Sequence, residues 1–201
     1  MQTSEKDFLR QLLSHMESID YLKAEDIPGI DLYMDQVTTF MEQQLAPSKR
    51  HDDDKILTKT MINNYSKNDL LPPPEKKKYS KEHMLTLIFI YYFKNILSIN
   101  DIKTILNPIT EKYFGNVDGK DMEDVYSQIF ALEREESNKL LHDLMKKFNR
   151  SFESFSDFPE EDRDYLHKFS FFCMLSYDVY VKKRILEQMV DDLLTDPDSK
   201  Q

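Results

Sequence analysis

Apolar residues in this chain recur at steps of three and four, the period that gathers them on one face of an α-helix. Phe8, Leu12, Met16 and Ile19, widened by Leu9 and Leu13, predict an N-terminal helix over residues 4–22. Ile27-Pro28-Gly29 breaks it, and Asp31 reads as the cap of a second helix with Tyr33, Val37, Phe40 and Met41 on one side. Thr58 caps a third, with Met61, Ile62 and Tyr65 turned inward. Ser80 opens a fourth through Asn95, with Leu85, Ile88, Tyr92 and Ile96 as one face. Phe89 and Phe93 make that helix apolar nearly all round, which predicts a central position. Ser98 to Asp101 resembles a capping box before a short helix carrying Ile102, Ile105 and Leu106, stopped by Pro108.

The second half continues in the same period. Val125, Ile129, Leu132, Leu140, Leu144 and Phe148 predict one long helix from Asp121, with its polar middle, Glu133 to Lys139, exposed. A last helix is predicted from Pro159, its first turns carrying Glu160, Glu161, Asp162 and Asp164 where the macrodipole favours acids. Along it Tyr165, Phe169, Phe172, Ser176, Val179, Lys183, Leu186, Val190 and Leu193 alternate steps of four and three, a heptad-like seam. Phe169, Phe172, Val179, Leu186, Val190 and Leu193 are the expected homodimerisation residues, because this surface is too apolar for one helix hairpin to cover. No other segment alternates apolar and polar residues as a strand would, so the fold is expected to be all-α, its single strand pair near Lys76 to Tyr79. The organisation that follows is residues 1–108, a Pro- and Gly-bearing linker at 109–120, and a C-terminal helical region at 121–201.

Charge singles out one stretch. The 201-residue chain carries a formal net charge of −10. From Lys55 to Lys81, however, seven lysines face only Asp69 and Glu75, a net of +5 that leaves −15 for the rest. With Ile62 and Tyr65 inward, the third helix turns Lys59, Thr60, Asn63, Asn64 and Lys67 outward, and Lys76, Lys77 and Lys78 follow a Pro-Pro-Pro-Glu run. Such side chains can pair with phosphate or hydrogen-bond base edges, or they can simply solvate a helix face.

The order of parts resembles the winged helix-turn-helix of MerR-type regulators: a helix ending in Leu70-Leu71-Pro72, a short basic segment, then Tyr79 and Ser80 before another helix. The resemblance implies that Asn63, Asn64 and Tyr65 stand where that family has an Arg-Tyr-Tyr run, and that Lys76 to Lys78 form the wing. Three features depart from the family: no arginine in the recognition helix, no glycine in its last turn, and a wing that is short and proline-stiffened. In addition, about eleven residues run from Ala46 to Ile56 where a helix-turn-helix usually has a turn of roughly three or four. Residues 27–106 also resemble, more closely, an uncharacterised bacterial domain-of-unknown-function family, which implies no activity.

Other chemistry has less to stand on. The lone Cys173, between Phe172 and Met174, reads as an inert buried thiol in a reducing compartment. His51-Asp52-Asp53-Asp54 places ligand types side by side, but consecutive loop residues seldom converge on one ion, and the run at 116–121 has Lys120 where a calcium loop needs oxygen. No metal and no cofactor are expected. The five histidines stand singly and no phosphate-binding glycine loop occurs, so no enzyme is expected. Neither a signal peptide nor a membrane-spanning run is read, which leads to a cytoplasmic expectation. Two functions remain: a sequence-specific regulator that binds double-stranded DNA through residues 27–106, its C-terminal half serving dimerisation or an unknown effector, or a non-catalytic all-α protein-interaction module of the same shape.

Overall fold

The computed structural model describes residues 5–17, 22–116 and 118–195. It is mostly helical. The elements are α1 (Glu5–Glu17), β1 (Leu32–Tyr33), α2 (Met34–Gln44), α3 (Lys59–Lys67), β2 (Lys78–Tyr79), α4 (Lys81–Phe93), α5 (Ile99–Tyr113), α6 (Met122–Phe152) and α7 (Glu160–Thr195). Two compact units result, Met1–Glu17 with Leu132–Gln188 and Ser18–Ala131 with Met189–Gln201. The division falls within α6 and α7, and residues 109–113 of the expected linker belong to α5.

The second of these units is built around α4. Every side chain from His83 to Ile88 is buried, as are Ile90 and Tyr91, which is the central position that an all-round apolar helix requires. Val37 and Met41 of α2, Ile62 of α3 and Ile102 of α5 are also fully buried. Ser80 caps α4: its backbone N–H donates to His83 Nδ1 at 3.0 Å. Ser98 caps α5 in the same way, exchanging bonds with Asp101. The expected face of α4 fails only at its end, where the helix stops at Phe93, leaving Ile96 45% exposed and burying Leu97 instead.

Two further expectations are corrected. Asp31 does not cap α2; the chain is extended at Leu32–Tyr33 and the Tyr33 backbone N–H donates to the Gln36 side chain at 2.9 Å. Pro108 does not stop α5, which continues to Tyr113 with Thr110 Oγ1 bonded to the Leu106 and Asn107 carbonyls. Proline removes one donor, but a helix already anchored by Ile102 and Leu106 in the core survives that loss.

The other unit is a helical hairpin with α1 against it. Phe148 of α6 meets Phe171 of α7 edge-on at 5.5 Å, and Phe8 of α1 stacks on Phe148 at 6.1 Å. Lys147 bridges Asp143 and Asp178, and the His167 ring N–H donates to the Ser154 carbonyl at 2.9 Å. These pairings run in opposite sense along α6 and α7, so the two are antiparallel. Ile19 and the side chains of Leu9 and Met16, expected in the first stripe, lie outside the described residues.

Candidate nucleic-acid interface

Helix α3 is held by its ends and by one face. Thr58 Oγ1 accepts from the Met61 N–H at 3.2 Å, satisfying one of the orphan donors of the first turn. At the other end Asp69 takes the left-handed conformation at φ 56°, the role a glycine more often fills, and the amides of Leu70 and Leu71 turn back to the Tyr65 carbonyl at 2.9 and 3.3 Å. Leu70 and Leu71 are then driven into the core, each 1% exposed. With Ile62 and Tyr65 buried, the expected outer face follows: Lys59, Thr60, Asn63, Asn64 and Lys67 are all exposed.

The basic turn is a two-residue hairpin. The Lys78 N–H donates to the Glu75 carbonyl at 2.8 Å, and Lys76 and Lys77 both adopt left-handed φ, 47° and 66°. This is type I′ geometry, normally given to Asn and Gly because a Cβ is strained there. Lys76 and Lys77 are exposed at its tip, while Lys78 is half-buried with its ammonium 5.4 Å from the centre of the Tyr33 ring. The strand partner of Lys78–Tyr79 is β1, antiparallel, with Leu32 opposite Tyr79 and Tyr33 opposite Lys78. Of the strand pair expected near Lys76 to Tyr79, only Lys78–Tyr79 is a strand; its partner comes from before α2, which ties the basic turn to the start of that helix.

Acids lie close to this surface. Lys59 is ion-paired with Asp35 of α2, and Lys81 with Glu123 at 2.8 Å. Lys103 of α5 donates to the Asn68 carbonyl at 2.8 Å and lies 3.5 Å from Asp69, fixing the end of α3. Lys67, Lys76 and Lys77 have no ion-pair partner among the described residues.

Behind the turn sits His83, 4% exposed, its ring edge-on to Tyr79 at 5.4 Å and to Phe114 at 4.7 Å. Because Nδ1 accepts from Ser80, the neutral ring carries its proton on Nε2, which is buried and without a hydrogen-bond partner. Burial pushes this imidazole below its ordinary value, against the pull of the Pro73 and Pro72 carbonyls and of Asp31 and Glu75. Sequence reading missed both Tyr33 and His83. Tyr33 was assigned to a helix face because a two-residue strand is too short to show alternation. His83 could have been found as the third residue after the Ser80 cap.

Of the residues expected at a dimer surface, Phe169, Phe172 and Val179 are 50%, 66% and 66% exposed and Leu193 is 46% exposed. Leu186 is half-buried and Val190, 2% exposed, is already part of the chain's own core. Cys173 is exposed, not buried as expected, because the inner face of α7 here is taken by Phe171. The run at 51–54 closes its own loop: the Asp54 carboxylate accepts from the Arg50 and His51 amides at 3.2 and 3.0 Å.

A family model described as a domain of unknown function (DUF1836) matches residues 22–129, more than half of the chain and nearly all of the continuous segment Ser18–Ala131. No curated protein and no solved structure matches the chain.

Proposed function

We propose that this chain, which belongs to the DUF1836 family, binds double-stranded DNA through α3 and the Lys76-Lys77 turn, in the manner of a MerR-like winged helix-turn-helix. The observation that carries this is the paired surface: a helix whose outer face is wholly polar and exposed, and a basic hairpin tip anchored by β1. Lys67, Lys76 and Lys77 supply phosphate contacts, which position a protein on a duplex. Asn63 and Asn64, on the outer face of α3, have the bidentate amides that suit adenine in a major groove. The acidic balance elsewhere restrains indiscriminate binding.

The test is selection of duplex fragments by the purified protein, followed by anisotropy on the selected fragment and a scrambled one. Asn63→Ala is expected to cost about 1–3 kcal/mol on the selected fragment and little on the scrambled one. Equal losses on both would remove base reading from the account. The pairing of Lys59 with Asp35 favours a second reading, an all-α protein-interaction module, since it neutralises one of the cations that DNA would use. Absence of any duplex affinity in low salt would select it.

A further inference from the structure

We propose that α7 pairs with the α7 of a second copy of this chain in an antiparallel, twofold-symmetric dimer. The contact face is Tyr165, Phe169, Phe172, Ser176 and Val179, all within the unit that holds α1, and the proposal is independent of DNA binding.

The inner side of α7 is already in use. Phe171 is 5% exposed against Phe148, and Asp178 is paired with Lys147. The opposite side is bare: Tyr165, Phe169, Phe172 and Val179 are 50–70% exposed, with Tyr180 beside them at 62%. A contiguous apolar surface of this kind is uncommon on a monomer. Its spacing of four and three residues averages 3.5, the repeat that keeps a seam facing a partner helix.

Charge decides both the occupant and its direction. The contact face begins among Glu160, Glu161, Asp162 and Asp164 and is followed by Lys182, Lys183 and Arg184. A parallel pair would set acid on acid and base on base. An antiparallel pair sets each acidic end beside the basic end of the other copy, so the surface is complementary to itself, as a twofold interface requires. With the axis near residue 174, Phe172 of one copy meets Ser176 of the other, a large ring against a small side chain, and Phe169 meets Val179. Tyr165 then lies level with Lys183, where ring and ammonium attract.

Sedimentation of the full chain over a range of micromolar concentrations is expected to show a monomer–dimer equilibrium. Phe172→Asp, at an exposed position that leaves the fold alone, is expected to weaken it at least thirty-fold, roughly the effect of losing an interface hot spot. Direction is read by cross-linking in a Cys173→Ser background. A short bismaleimide should join Tyr165→Cys chains to Lys183→Cys chains and should not join Tyr165→Cys chains to each other, since the antiparallel arrangement separates those by roughly 27 Å. The reverse pattern would overturn the antiparallel dimer. A wild type that stays monomeric throughout, or a Phe172→Asp chain as dimeric as wild type, would overturn the interface.

Discussion

Lysine at both central positions of a type I′ turn is a local conflict that can be measured. At φ 66° the Cβ of Lys77 crowds its own backbone, a cost of about 1–2 kcal/mol that glycine does not bear. Lys77→Gly removes this cost but enlarges the freedom of the unfolded chain by about 0.4–1 kcal/mol. The balance lies between about 0 and 1.6 kcal/mol and centres on a gain of about 0.8 kcal/mol. In a chain of this length that corresponds to a rise in Tm of about 1–4 °C. Lys77→Ala is the control: it removes the same charge and keeps the strained Cβ, so its Tm should stay at that of the wild type. Differential scanning calorimetry at fixed pH and salt reads both. On duplex DNA the two variants should instead behave alike, each losing about one phosphate contact and reducing the slope of log affinity against log salt by about 0.9. A glycine variant that is no more stable than the alanine variant would refute the strain argument. Stabilised glycine with undiminished DNA binding would leave the strain but detach it from function.

Other consequences follow from buried groups. The folded chain holds a proton on His83 less readily than the unfolded chain, so stability should fall as pH drops below about 6.5, by at most about 1.4 kcal/mol per pH unit. His83→Gln keeps an acceptor for the Ser80 N–H without titrating, and chemical denaturation between pH 5 and 7 should show the slope reduced. An unchanged slope would place the sensitivity elsewhere. Thr58→Ala removes the cap of α3 and should cost about 1 kcal/mol in the same assay. Ile62→Ala, at a fully buried position, should cost about 2–5 kcal/mol, whereas its exposed neighbour Asn63→Ala should change stability by less than about 0.5 kcal/mol. Similar losses for both would mean that α3 is turned differently.

Helices were legible wherever one side chain after another had to choose between core and water. Ile62 and Tyr65 fixed the orientation of α3, and with it which five residues point outward. The all-round apolar α4 announced its own burial. What escaped were features decided by contacts distant in sequence. Leu32 and Tyr33 are a strand only because Tyr79 and Lys78 lie opposite them, and two residues show no period. Pro108 ends a helix in isolation, but tertiary packing of α5 outweighs one missing hydrogen bond. Asp69 takes the left-handed position at the end of α3 that a glycine more often fills, which an Asx residue tolerates and no periodicity signals. On α7 the seam and its outward side were legible, with Phe169, Phe172 and Val179 exposed and Phe171 turned inward; the burial of Val190 in the chain's own core was not, because only packing decides it.

The claim that α3 and the basic turn form a DNA-binding surface is tested most directly by one comparison. Duplex affinity of the wild type and of a Lys76→Ala, Lys77→Ala, Lys78→Ala triple variant is followed by fluorescence anisotropy as salt is raised, after circular dichroism has established that both are folded. The account predicts weaker binding to every sequence and a salt slope shallower by roughly 1.8, two phosphate contacts, from Lys76 and Lys77, at about 0.9 each, since the Lys78 ammonium lies over the Tyr33 ring. A folded triple variant with unchanged affinity and slope would contradict it.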